Sequence, residues 1–190
     1  MNGPVAERDD TGSPETIWLQ QIAAGNTQAL RQIFDRWKLP LLTYFYRAIG
    51  SHADAEDLTL QTLTRVYRSA HRYRPEAKFS TWLFAIARHE LLHELRRRKR
   101  KPVEAVQPDQ LDALSTAQVG APGHAQEVEE KLLVALQGLP ERDRSALLMA
   151  SGGDLSNSEI ARTLGVSNNH LNVLLHRARL KLRELFSSQP

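Results

Sequence analysis

The sequence predicts an all-α protein of two small helical domains joined by a flexible linker, and three observations carry that prediction. Apolar residues recur at mixed spacings of three and four over most of the chain, the period of an amphipathic helix. No segment sustains two-residue alternation or a hairpin signature, so essentially no strand is expected. From 101 to 126 the chain holds Pro102, Pro108, Pro122, Gly120 and Gly123, no aromatic residue and no sustained period, which reads as a linker. The expected division is a disordered tail at 1–13, a first domain at 14–100, the linker at 101–126, a second domain at 127–186 and a tail at 187–190.

Taken in order, residues 15–50 place Trp18, Ile22, Ile33, Phe34, Trp37, Leu41, Phe45 and Ile49 at helical spacing. Gly25-Asn26 interrupts the pattern, and Pro40 lacks an amide donor and crowds the preceding turn, so a kink or restart is expected there. Ser51 followed by Asp54 reads as a capped helix start, with a carboxylate at the positive end of the helix dipole, and Leu58, Leu63, Val66 and Tyr67 continue that helix. Residues 73–77 read as a loop, and Ser80 is expected to cap a helix whose inner face is Leu83, Ile86, Ala87, Leu91 and Leu95. Beyond the linker, Leu132, Leu133, Leu136 and Leu139 resume the period, Pro140 stops it, and Gly152-Gly153 stops it again after Leu147 and Leu148. Ser156 and Glu159 form a capping-box pattern opening a short helix to Leu164, and Gly165-Val166-Ser167 turns into a last helix reaching about Phe186.

Composition excludes several function classes. With 41% hydrophobic and 25% charged residues the chain has globular make-up, and no apolar run approaches the roughly 20 residues of a bilayer crossing. No membrane insertion is expected. Met1 to Ser13 lacks the basic start and apolar centre of a secretory signal, so a cytoplasmic location is expected. The absence of cysteine excludes disulfides, thiolate metal sites and thiol catalysis, and no cofactor is expected. The net charge of +3 is small, but Arg96 to Lys101 are six consecutive cations.

The set Ile160-Ala161, Leu164-Gly165-Val166, Leu171, Leu174-Leu175 and Ala178 suits a DNA-binding helix-turn-helix. A small residue stands where two helices cross, a glycine where the turn is left-handed, and apolar side chains clamp the second helix on the first. The outer face of the last helix then carries Asn168, Asn169, His170, Asn172, Val173, His176, Arg177 and Arg179, following Ser167. Asparagine can pair with adenine and arginine with guanine or phosphate. The alternative is a helical hairpin with a solvated polar face.

Residues 82–101 hold seven cations against two carboxylates, a local balance of +5. Just upstream, Tyr73, Phe79 and Trp82 stand beside Arg72, Arg74 and Lys78, a mixture suited to stacking unpaired bases and neutralising a single strand. The alternative is an aromatic core with a solvated cationic tail. A third pattern, His89-Glu90-Leu91-Leu92-His93, matches the H-E-x-x-H zinc motif of hydrolases. It is followed by Glu94-Leu95-Arg96, so the glycine and third histidine of the extended pattern are missing, and neighbouring cations oppose a dication.

Asp54-Ala55-Glu56-Asp57-Leu58-Thr59 with Arg65-Val66-Tyr67 resembles the polymerase-binding helix of the extracytoplasmic-function sigma factors, in the sigma-70 family of bacterial RNA polymerase sigma factors. Phe79-Ser80-Thr81-Trp82-Leu83, Ile86-Ala87-Arg88 and Arg96-Arg97-Arg98 resemble its promoter-melting segment. Leu139-Pro140-Glu141-Arg142, Glu159-Ile160-Ala161, Leu164-Gly165-Val166-Ser167 and Leu175-His176-Arg177-Ala178-Arg179 resemble its upstream-element reader.

The resemblance implies a protein that binds core polymerase, recognises promoter DNA and promotes melting, leaving catalysis to the polymerase. Asp54, Asp57, Leu58, Leu60 and Gln61 would dock on the clamp of the largest subunits. Arg74, Lys78, Phe79, Ser80, Trp82, Arg88, His89, Arg96 and Arg97 would hold the melted non-template strand, and Ser167 with the outer face of the last helix would bind the upstream duplex. An anti-sigma partner is implied as well. Leu60 and Gln61 depart from the usual Gln and Glu, His89 and His93 from Asn and Asp, and Asn172 and Leu174 from Lys and Arg. These departures leave a second reading open, a divergent sigma-like regulator without initiation activity.

Overall fold

The computed structural model describes residues 12–100 and 122–188, and every regular element among them is helical. Much of the expected N-terminal tail and linker, 1–11 and 101–121, and the final residues 189–190 lie outside the described residues. The first lobe comprises α1 (Pro14–Ala23), α2 (Thr27–Ile49), α3 (His52–Ser69), a 3-10 turn (Ala70–Arg72) and α4 (Phe79–Arg100). The second comprises α5 (Pro122–Gln137), α6 (Glu141–Gly152), α7 (Asn157–Leu164) and α8 (Asn168–Ser187).

The breaks lie where local chemistry puts them. Ser13 caps α1 through the Thr16 amide, Asn26 caps α2 through Gln28, and Ser51 caps α3 through Asp54. The two turns into and out of α6 coincide with Pro140 and with Gly153, which is left-handed at φ 76°. An added Cβ at Gly138 in the α5–α6 turn would lie 2.8 Å from the end of the Leu185 side chain of α8, which would have to shift to admit it.

Three expectations are corrected. Of the kink or restart expected at Pro40, the restart does not occur, because α2 runs through it as one element: Trp37, Leu41 and Leu42 around it are all buried, and burying that face outweighs one lost backbone bond. Ser80 is not a cap, since α4 begins at Phe79 and its hydroxyl donates to the Asp154 carbonyl oxygen of the second lobe at 3.3 Å. Residues 122–126, read as the end of the linker, belong to α5, whose first position is a proline with φ already suited to a helix.

Leu19, Ile33, Leu41, Phe45, Val66, Phe79, Leu83 and Leu91 fill the first lobe, and Leu136, Met149, Ile160, Leu171 and Leu175 the second. Full burial of each such side chain stabilises by about 1.5–3 kcal/mol. The lobes touch, with α2 against α5 and α6 and α4 against α7. Tyr44 of α2 is buried in that seam, its hydroxyl 3.4 Å from that of Ser145.

Candidate nucleic-acid interface

The second lobe places its expected surface plainly. The Ser156 hydroxyl accepts from the Glu159 amide while the Glu159 carboxylate accepts from the Ser156 amide at 2.7 Å, so α7 starts with both halves of a capping box. Gly165 closes it at φ 66°, and Ser167 caps α8 by accepting from the His170 amide at 3.2 Å. Ile160, Ala161 and Leu164 of α7 and Leu171, Leu174, Leu175 and Ala178 of α8 are all buried, with α8 packed on α5, α6 and α7. That geometry leaves Asn168, Asn169, His170, Asn172, Val173, His176, Arg177 and Arg179 exposed on the outer side of α8.

Two positions of α8, one exposed and one buried, carry more than the sequence shows. Arg177 makes a two-pronged pair with Asp143 of α6 at 2.9 and 2.7 Å, and Asp143 is only 2% exposed. This pair clamps α8 onto α6, and its hydrogen bonds hold the Arg177 guanidinium more firmly protonated than usual. Leu174 is buried in the lobe, so the cation expected there by resemblance has no place on the duplex-facing side.

In the first lobe an aromatic ladder rises from the core to the surface. Trp37 packs on Phe79 at 5.6 Å between ring centres, Phe79 on Trp82 at 5.9 Å, and Trp82 on Tyr73 at 5.0 Å. Phe79 is 2% exposed and props the ladder, whereas Trp82 and Tyr73 are half-buried at its outer end. The Tyr73 hydroxyl donates to the Ala77 carbonyl oxygen at 3.2 Å, holding the 73–78 loop against α4. Arg74 stands exposed on that loop; Lys78, Ser80 and Arg88 line the adjacent edge of α4.

Those last three meet the second lobe. Lys78 lies 3.3 Å from the Glu159 carboxylate and Arg88 3.5 Å from that of Glu141, while Ser80 bonds Asp154 as described. Burial pushes the Glu159 carboxyl up, but the Ser156 amide and hydroxyl and the Lys78 ammonium more than reverse this and leave it below the usual carboxylate range. Arg47 of α2 adds a third contact of this kind, 3.4 Å from Glu129.

The basic end of α4 is partly neutralised from within. The Arg97 hydrogen bonds, at 2.7 and 2.8 Å, dominate in holding the Glu94 carboxyl below its ordinary range, helped by Arg98 at 2.8 Å. Arg98 also reaches Asp54 at the start of α3. Arg96, Lys99 and Arg100 are exposed. Asp57, Leu60 and Gln61 are exposed along α3, Leu58 is buried, and Leu60, 60% exposed, borders a shallow groove with Phe34, Lys38, Leu42, Glu56 and Thr59.

Within the H-E-x-x-H segment, His89 and Glu90 both meet Arg65 of α3. Glu90 is buried and pairs with Arg65 of α3 at 2.6 Å, and the same guanidinium donates to His89 Nδ1 at 3.0 Å. Among the described residues no three His, Asp or Glu side chains converge as metal ligands. Arg65 was read only as part of a polymerase-binding string; an exposed cation 25 residues from a buried carboxylate on another helix has no local signature.

Comparison with known proteins supplies the remaining finding. Residues 33–101 match sigma-70 region 2 and residues 129–182 match sigma-70 region 4. The chain is 36% identical to the extracytoplasmic-function RNA polymerase sigma factor SigE of Mycolicibacterium smegmatis over 141 residues, which is 73% of this chain and 54% of SigE. It is 32% identical to SigF of Caulobacter vibrioides over 161 residues, 84% of this chain and 87% of SigF. The chain thus spans about half the length of some curated relatives, SigE among them, and most of others. Its fold is similar to CnrH in complex with the cytosolic domain of CnrY, with TM-score 0.70, 21% identity and coverage of 94% of this chain and 100% of that one. It is also similar to RpoE in complex with the anti-sigma factor NepR from Bartonella quintana, with TM-score 0.67, 23% identity and coverage of 84% and 98%.

Proposed function

Since the chain belongs to the extracytoplasmic-function sigma factors of the sigma-70 family, we propose that it binds core RNA polymerase, recognises promoter DNA and promotes its melting. The observation that carries this reading is the pairing, in one chain, of a helix-turn-helix whose polar face is open with a separate aromatic step edged by cations. The first suits base edges in a major groove; the second suits unstacked bases and their phosphates. Duplex capture by α8 would set the register, and Trp82 and Tyr73 would receive bases released from the stack. Nucleotide addition belongs to the polymerase, so the chain contributes binding energy and sequence choice rather than a catalytic group.

Core polymerase is the partner in this reading, docking along α3 at Asp57, Leu60 and Gln61, with Leu58 and Asp54 fixing the helix that presents them. An anti-sigma protein is a second partner, by likeness to the folds seen bound to CnrY and NepR. A cytoplasmic location goes with the polymerase, and no helix among the described residues is long and apolar enough to cross a membrane. The exposed Leu60, apolar where the family usually has a polar residue, favours one further reading, a sigma-like regulator that binds polymerase without opening promoters.

Core binding and thymine reactivity in a supercoiled promoter pool separate the two. The initiation reading expects reactive thymines that appear only with polymerase and this chain together, and that are lost in Trp82→Ala with core binding intact. Binding without reactive thymines supports the regulator.

A further inference from the structure

We propose that Arg65 is a positioning residue for strand recognition: anchored on the buried Glu90, it holds His89 in the tautomer with its proton on Nε2, so that the ring offers the melted strand one donor and selects keto bases, guanine and thymine, over amino bases. This deepens the function proposed above and rests on it.

The chemistry of the two side chains fixes the direction of their contact. A guanidinium carries only donors, so the Arg65 nitrogen 3.0 Å from His89 Nδ1 donates and Nδ1 accepts. A neutral imidazole with one nitrogen accepting bears its proton on the other. The competing arrangement, a proton on Nδ1 directed at Glu90, would have to span 3.8 Å, beyond hydrogen-bond range, and would set that proton against a guanidinium hydrogen. The nearer partner decides the tautomer.

Burial fixes Arg65 in turn. Its terminal nitrogen Nη1 meets the Glu90 carboxylate at 2.6 Å, and Glu90 is buried, so this charge-assisted bond is made where water competes least. The same nitrogen is the one that reaches His89. With two hydrogens, it gives one to the carboxylate and one to the ring, and the first contact aims the second. Arg65 arrives from α3, so the ring on α4 is set by a neighbouring helix rather than by its own.

Helical period places the ring on the path of a strand. Trp82, His89 and Arg96 follow one another at two-turn intervals, so they share one stripe of α4, about 10 Å apart along its axis. Trp82 is an outer rung of the aromatic ladder, and His89 and Arg96 are exposed. A strand stacked at Trp82 and running along this stripe brings base edges to His89 and phosphates to Arg96. The His89 side chain is 61% exposed, and with Nδ1 turned to Arg65 the nitrogen left for the strand is Nε2.

One donor without an acceptor discriminates between bases. Guanine carries O6 and thymine O4 where adenine carries an N6 amino group and cytosine an N4 amino group. An imidazole N–H bonds the oxygens and meets another donor in the amino groups. Asparagine, usual at this position in the family, holds both kinds of atom on one carboxamide and can turn to suit either class.

The test scores initiation by the full-length chain with core polymerase on promoters randomised over the downstream element, for the parent, His89→Asn and Arg65→Gln/Glu90→Gln. The double variant replaces the ion pair by two amides that can bond each other, so no charge is left buried without a partner. The parent is expected to favour keto over amino bases about fivefold at one position, the size of one net hydrogen bond, and each variant to lose that preference among the starts it still makes. Equal use of both classes by the parent at every downstream position, or the preference kept in either variant, overturns the proposal. Long-range proton–nitrogen correlation spectra of the isotope-labelled parent in mildly alkaline buffer read the tautomer without polymerase, with His89 assigned by its loss in His89→Asn. A bare Nδ1 and a protonated Nε2 are expected, with the Nδ1 resonance moving in the double variant; a protonated Nδ1, or an Nδ1 resonance indifferent to the double variant, overturns the positioning by Arg65 whatever the initiation assay shows. If the tautomer is as expected and no protein initiates, the functional reading fails and takes the base selection with it.

Discussion

The outer face of α8 and the leading edge of α4 are built from similar polar and cationic side chains, yet the fold leaves them in different circumstances. On α8, Asn168, Asn169, Asn172, His176 and Arg179 are exposed, presented by an apolar clamp that is complete within its own lobe. On α4, Lys78, Ser80 and Arg88 are engaged by oxygens from the other lobe. Side-chain chemistry sets what each surface can bind, and packing sets when it can bind it. A helix held by apolar burial is ready at all times, while an edge matched by charge is available in proportion to whatever replaces the matching charge.

The comparison breaks most severely if the α8 clamp is removed. Leu171 is fully buried, and Leu171→Ala should cost about 2–5 kcal/mol, collapsing duplex binding while the first lobe keeps its helical signal in denaturant unfolding. Loss of both lobes in one transition would mean that they fold as a unit. A smaller effect sharpens the duplex side: Asn169→Ala should cost about 1–3 kcal/mol of discrimination at one promoter position, read by binding to single-base variants, with non-specific affinity unchanged.

On the strand side, Lys78→Ala/Arg88→Ala should lower the slope of log affinity against log salt by about 1.4 in single-strand binding, the expected loss for two phosphate contacts. An unchanged slope would remove both residues from the strand path. The smallest effect is in pH. Burial in the seam pushes the Tyr44 phenol up to about 12 from 10.0, with the Ser145 hydrogen bond opposing. The packed seam holds the proton more tightly, so its stabilisation is full below pH 10 and is lost as pH rises from there towards 12. Phenolate absorbance and lobe separation should rise together in that range; a phenol titrating near 10 with the lobes still packed together contradicts the burial.

Where information was local, the sequence was easy to read. Gly25-Asn26, Pro140, Gly153 and the Ser156–Glu159 box each act within a turn or two, and each ends or starts a helix as expected. Pro40 misled because its local cost is outweighed by burial of Trp37 and Leu41, which depends on partners from other helices. Ser80 misled for the same reason, its hydroxyl being claimed by Asp154, 74 residues away. The outer face of α8 was legible because helical period alone separates its polar side from its apolar one. Neither the Arg177–Asp143 clamp nor the Arg65–Glu90 pair was visible, since ion pairs across 34 and 25 residues leave no periodic trace.

The central claim, that this chain directs polymerase to start transcription, is tested most directly by run-off transcription from a promoter library with purified core polymerase, with and without the chain, in the presence of a chelator that spares magnesium. The account predicts new start sites that share an upstream and a downstream element and appear only when the chain is present. Core binding with no new start site would contradict it.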